Sequence, residues 1–109
     1  ENGLVGDAEI KLSESAVVFQ YAQTCFEGLK AYRTEDGHIV IFRPDLNAKR
    51  FSDSCRRMLI PEISPEMFIR AIDMTVRANE DSVPPYGSGA TLYIRPFAMG
   101  GPRRTAPAI

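Results

Sequence analysis

The chain has 109 residues, enough for one modest domain with one core. Hydrophobic residues make up 44% and charged residues 25%, the proportions of a soluble globular domain. A net charge of −1 excludes the basic excess of a nucleic-acid surface, and no apolar run reaches the length of a membrane span.

Residues 1–16 are weakly patterned, and AEIKLS permits a short strand. AVVFQYAQTCF, residues 16–26, is apolar and rich in aromatic and β-branched side chains, which predicts an extended segment leading into a turn. In LKAYRTEDGHIVIF, two strand-like runs flank Asp36-Gly37, a pair that tolerates the positive φ of a primed hairpin turn. The second run, Ile39 to Phe42, is apolar at every position, which predicts a strand covered on both faces. Arg43-Pro44 should end it, because a residue before proline avoids the α region.

A helix is predicted over 45–59, with Ala48, Phe51, Cys55, Met58 and Leu59 as its buried stripe and Asp45 or Asn47 as its cap. Pro61 breaks it, and Ser64-Pro65-Glu66 starts a second helix that ends near Asn79. Phe68, Ala71, Ile72, Thr75 and Val76 are expected on its inner face. EDSVPPYGSG reads as a loop, and ATLYIRPF, 90–97, as a strand. Its alternation puts Ala90, Leu92 and Ile94 on one face and Thr91, Tyr93 and Arg95 on the other. The expected fold class is α+β: a mainly antiparallel sheet with two helices packed on one side.

Two cysteines, Cys25 and Cys55, and one histidine, His38, give no metal-ligand spacing. No signal-peptide pattern opens the chain, so both thiols are expected to stay reduced, as small buried hydrophobes in a cytoplasmic protein. The chain begins at Glu1 rather than Met and closes on an aperiodic Pro/Arg/Ala-rich tail, as expected of a piece of a longer protein.

Few residues suggest chemistry. Tyr93 and Arg95 stand side by side on one strand face, where Arg by two hydrogen bonds and Tyr by a third bind a carboxylate; an ordinary exposed edge face is the plainer reading. Arg50, near a helix start and off the buried stripe, is placed to reach a phosphate, although a solvated arginine is commoner. Arg43 is expected to pair with a nearby carboxylate, and Arg56-Arg57 to lie on a solvated face. Tyr21 and Phe26 fit either a pocket wall or core packing.

Taken together, YAQTCFEGLKAYRTEDG, IFRPDLNAKRF, VPPYGSGATLYIRPF and the helix between them resemble the N-terminal small domain of branched-chain-amino-acid aminotransferases, fold-type-IV enzymes that use pyridoxal 5'-phosphate. The resemblance covers about residues 16–98, which implies a small domain over 1–98 and a tail or interdomain segment over 99–109. It implies that Arg50 binds the cofactor phosphate and that Tyr21 and Phe26 line the pocket for branched aliphatic side chains. It further implies that Tyr93 and Arg95 face the substrate, with Arg95 meeting the distal carboxylate of glutamate. The implied reaction moves the amino group of leucine, isoleucine or valine to 2-oxoglutarate, in a cytoplasmic homodimer that binds neither nucleic acid nor membrane. Tyr21 is expected to act across the dimer interface.

The chain departs from the family at Gln20, where a histidine is usual, and in GGPRRTAPAI. Lys11, Lys30 and Lys49 are its only lysines, and none matches the family's catalytic one. That lysine belongs to a large domain outside these residues, so the chain alone is expected to be inactive and without cofactor. Two alternatives stay open: a D-amino-acid aminotransferase or aminodeoxychorismate lyase of the same fold, and a non-catalytic domain that only self-associates through an exposed apolar face.

Overall fold

Asp36-Gly37 reverses the chain as its composition predicts, with Gly37 at φ 87° in the left-handed region that glycine enters freely. Around it, β2 (Leu29–Arg33) pairs antiparallel with β3 (Ile39–Ile41), Ala31 opposite Ile41. These elements belong to a computed structural model that describes residues 3–6 and 9–102.

Before the hairpin come α1 (Val17–Tyr21) and β1 (Thr24–Phe26). After it come α2 (Pro44–Arg57), α3 (Pro65–Ala78), a 3-10 turn at Glu80–Ser82, β4 (Leu92–Ile94) and β5 (Phe97–Met99). One sheet has the order β3-β2-β4 and a second pairs β1 with β5, all antiparallel. The two ladders share one register. Phe26 faces Phe97 and Leu29 faces Ile94, so Glu27 and Gly28 lie opposite Pro96 and Arg95 with no residue inserted. The interruption falls on Pro96, which has no N–H to give, while its carbonyl still accepts the Glu27 N–H at 2.9 Å. The strand expected over 90–97 is therefore two short strands broken at Arg95-Pro96.

Both helices pack on one face of this ribbon. Ala48, Phe51 and Cys55 of α2 and Phe68, Ile72 and Val76 of α3 enclose Leu29, Ala31 and Ile94. This is the α+β arrangement that the sequence predicts. The other face of β3 is open: Ile39 and Ile41 turn to the core, whereas Val40 and Phe42 are exposed, Phe42 at 80%. Cover on both faces was expected there, and within the described residues only one face is covered.

The end of α2 explains a second departure. Met58 is the C-cap and Leu59 takes φ 57°. The Leu59 N–H reaches the Arg56 carbonyl at 3.1 Å and the Ile60 N–H the Cys55 carbonyl at 2.8 Å, a Schellman motif. Gln23 Nε2 donates to the Met58 carbonyl at 2.7 Å. The reversal throws Leu59 outward, 85% exposed, and tucks Ile60 against the core in its place. No side chain caps the start of α2; Asp45 instead pairs with Arg43, Nη2 to Oδ2 at 2.8 Å. Ser64 caps α3 as predicted, accepting the Met67 N–H at 3.1 Å. Ala71 and Thr75, expected on the inner face of α3, are exposed, which narrows its buried stripe.

The extended segment expected from residue 16 is in part the helix α1. Its Val17 and Val18 N–H groups find the Gly101 and Gly100 carbonyls at 3.0 and 3.1 Å, partners from the far end of the chain that local pattern cannot reveal. Residues 9–13 form no strand, and Ala8 lies outside the described residues, as do 103–109 of the expected tail.

Cys25 of β1 and Cys55 of α2 are free thiols whose sulfurs lie 3.6 Å apart, so they are neighbours rather than isolated residues. Burial, then contact with Cys25, pushes the Cys55 thiol up to about 11. Since the thiolate is the reactive form, iodoacetamide at pH 8 should label Cys55 only after unfolding. Rapid labelling in the native state, read by peptide mass spectrometry, would contradict this packing.

Candidate functional site

Strand alternation assembles the first cluster. Tyr93 and Arg95 project from the open face, and Phe26 comes from the neighbouring ribbon strand. The Arg95 guanidinium carbon lies 4.5 Å from the Phe26 ring centre and 5.7 Å from that of Tyr93, both within cation–π range. Among the described residues no carboxylate pairs with Arg95. An exposed guanidinium braced by two rings is preset to meet an incoming anion.

Gly28 makes the close approach possible. A Cβ there would sit 2.8 Å from the Tyr93 hydroxyl and 3.2 Å from its Cε1. Beside it, an open cleft of about 260 Å³ is lined by Gly28, Lys30, Tyr32, Phe42, Asn47 and Tyr93.

The second cluster centres on Arg50. One turn apart on α2, Asn47 and Arg50 converge on Glu27, a carboxylate only 4% exposed. Arg50 Nε reaches Glu27 Oε1 at 2.5 Å and Nη2 reaches Oε2 at 2.8 Å. Asn47 Nδ2 donates to Oε2 at 3.0 Å and to the Gly28 carbonyl at 3.3 Å. Burial alone would raise the Glu27 pKa; the Arg50 and Asn47 hydrogen bonds, the Arg50 charge and the Gly28 N–H outweigh it and hold it below the ordinary 4.5. The Arg50 side chain is itself 68% exposed, and the same pair raises its pKa.

This geometry bears on whether Arg50 suits a phosphate. The fork toward Glu27 uses one N–H on Nε and one on Nη2. Both N–H groups on Nη1, and the second on Nη2, bond no described residue. Those groups, on an always-charged planar cation, match a phosphate ester well. An open cleft of about 320 Å³, lined by Phe42, Arg43, Leu46, Asn47 and Arg50, adjoins them.

The two clusters meet in three consecutive residues. Phe26 lies under Arg95, Glu27 holds Arg50, and Gly28 abuts Tyr93. Tyr21 stands apart: it ends α1 and is 74% exposed, and no described hydrogen bond or ring stack joins it to the others. Sequence reasoning picked out Arg50, Phe26, Tyr93 and Arg95 but missed Glu27. The available signal was an acidic residue in phase with Cys25, Leu29 and Ala31, on an otherwise apolar face, a position that requires a cationic partner.

No family model matches the chain. It is 48% identical over 100 residues, 92% of its length, to the branched-chain-amino-acid aminotransferase of Haemophilus influenzae, of which it covers 29%. The corresponding enzyme of Helicobacter pylori is 48% identical over 97 residues, 89% of the chain and 28% of that protein. A solved structure of a branched-chain amino acid aminotransferase complexed with N-(5'-phosphopyridoxyl)-L-glutamate matches with TM-score 0.72 and 33% identity, over 94% of this chain and 32% of that one. The chain is a relative of the branched-chain-amino-acid aminotransferases. It spans under a third of the length of these curated relatives. The resemblance carried by the FEGLKAYR and RPDLNAKR stretches thus holds both in sequence and in fold.

Proposed function

We propose that this chain forms part of a pyridoxal-phosphate-dependent transaminase that moves the amino group of leucine, isoleucine or valine to 2-oxoglutarate. The observation that carries the proposal is the Phe26-Glu27-Gly28 segment, which ties a phosphate-suited arginine and a carboxylate-suited arginine into one ribbon. The relationship to enzymes of that name supports it.

In this reading Arg50 neutralises the cofactor phosphate through its unoccupied N–H groups. When bound, the cofactor supplies the electron sink that makes amino transfer feasible. Phe26 presents apolar area to a branched side chain, and Arg95, seconded by the Tyr93 hydroxyl, meets the distal carboxylate of glutamate. One pocket thereby accepts an aliphatic and an anionic substrate in turn. Arg95 is exposed here, so its charge need not be stripped of water when the aliphatic substrate binds. The lysine that bonds the cofactor lies outside these residues, and the whole protein acts as a cytoplasmic homodimer in which Tyr21 completes the partner's site.

Assays of the whole protein with L-leucine, D-alanine and aminodeoxychorismate test the reading. Transfer from L-leucine to 2-oxoglutarate is expected. Turnover of D-alanine or aminodeoxychorismate in its place would move the chain to a different reaction on the same fold.

A further inference from the structure

Arg50 is a long flexible side chain, and its own helix does not fix where its guanidinium points. What fixes it is Glu27, in the two-residue link between β1 and β2. This carboxylate is almost wholly withdrawn from water, is gripped at both oxygens, and is itself held by Asn47 one turn before Arg50. Asn47 also bonds the Gly28 carbonyl, which ties the cradle to the backbone of that link.

We propose that Glu27 and Asn47 are positioning residues for Arg50, holding its guanidinium so that the unoccupied N–H groups point as a fixed fork at the cofactor phosphate. The proposal rests on the reading of Arg50 as the phosphate ligand. Two effects of Glu27 oppose each other. Its negative charge repels a phosphate dianion, while its two short hydrogen bonds remove the freedom that Arg50 would otherwise lose on binding. The carboxylate is screened from the anion by the guanidinium it grips, so ordering outweighs repulsion. Exchange for the neutral isostere glutamine therefore weakens phosphate binding, where a purely electrostatic role would strengthen it.

The test compares pyridoxal 5'-phosphate with pyridoxal, which lacks the phosphate, by titrating the apo form of the whole protein and following absorbance. Their affinity ratio isolates the phosphate contribution, and damage to the general fold moves both ligands together. Glu27→Gln is expected to lower the ratio on the order of tenfold, with pyridoxal affinity unchanged. Asn47→Ala is expected to lower it in the same direction by less, and serves alone if Glu27→Gln does not fold. In an Arg50→Gln background, adding Glu27→Gln is expected to change the ratio little, the coupling of residues that act as one unit. If Arg50→Gln destroys the preference for the phosphorylated ligand while Glu27→Gln keeps or raises it, positioning is overturned and the reading of Arg50 stands. An equal fall for both ligands also overturns it. An unchanged ratio in Arg50→Gln overturns the reading of Arg50 and this inference together.

Discussion

Truncating Phe51 to alanine is expected to lower the stability of the whole protein by about 3–5 kcal/mol, the cost of deleting a buried aromatic side chain. Phe51 is 4% exposed at the centre of the core, its ring centre 5.4 Å from that of Phe68 at a 44° tilt, so it joins α2 to α3 as well as α2 to the sheet. The cavity would open under the turn of α2 that carries Asn47 and Arg50. A shift of that helix breaks hydrogen bonds to Glu27 of 2.5 to 3.0 Å. Phe51→Ala should therefore also weaken cofactor retention, while Phe51→Leu, which keeps most of the volume, should cost less on both counts. Equilibrium unfolding and cofactor retention measured side by side check this. A stability loss under about 1 kcal/mol, typical of a surface position, would show that Phe51 does not occupy the core.

The sequence made some of this structure legible and withheld the rest for identifiable reasons. The hairpin at Asp36-Gly37 and the start of α3 at Ser64-Pro65 follow from local chemistry: a turn that needs positive φ, and a serine oxygen that accepts a first-turn N–H. Ala48, Phe51 and Cys55 follow from helical period. Leu59 fits the same period, yet the reversal that ends α2 just before it turns it to solvent, and Leu59 lacks the glycine that usually marks such a reversal. The helix α1 is invisible locally because its first amides bond Gly100 and Gly101. At the site, alternation alone pairs Tyr93 with Arg95, but the approach of Phe26 requires knowing that β1 and β4 lie on one ribbon, a contact between distant parts of the sequence. Glu27 is the clearest case. Its role exists only because α2 crosses that ribbon, and no pattern local to residue 27 predicts which arginine meets it.

Replacing Arg95 by glutamine separates the two substrates that one pocket is proposed to share. The guanidinium stands over Phe26 and Tyr93, exposed and without a described carboxylate partner. Glutamate or 2-oxoglutarate would bring the missing anion; leucine brings only apolar area. A charge-assisted hydrogen-bonded contact is worth about 1.5–3 kcal/mol, so kcat/KM for glutamate should fall by roughly ten- to a hundredfold. For leucine the loss should stay within about fivefold, because glutamine keeps much of the bulk of the side chain and forfeits mainly the cation–π contact with Phe26, itself worth about 0.5–1 kcal/mol at an exposed site. Separate half-reactions with each amino donor, run on the whole protein with cofactor bound, measure the two effects independently. Equal losses for both donors would mean that Arg95 braces the ribbon through Phe26 and Tyr93 and does not read the substrate carboxylate.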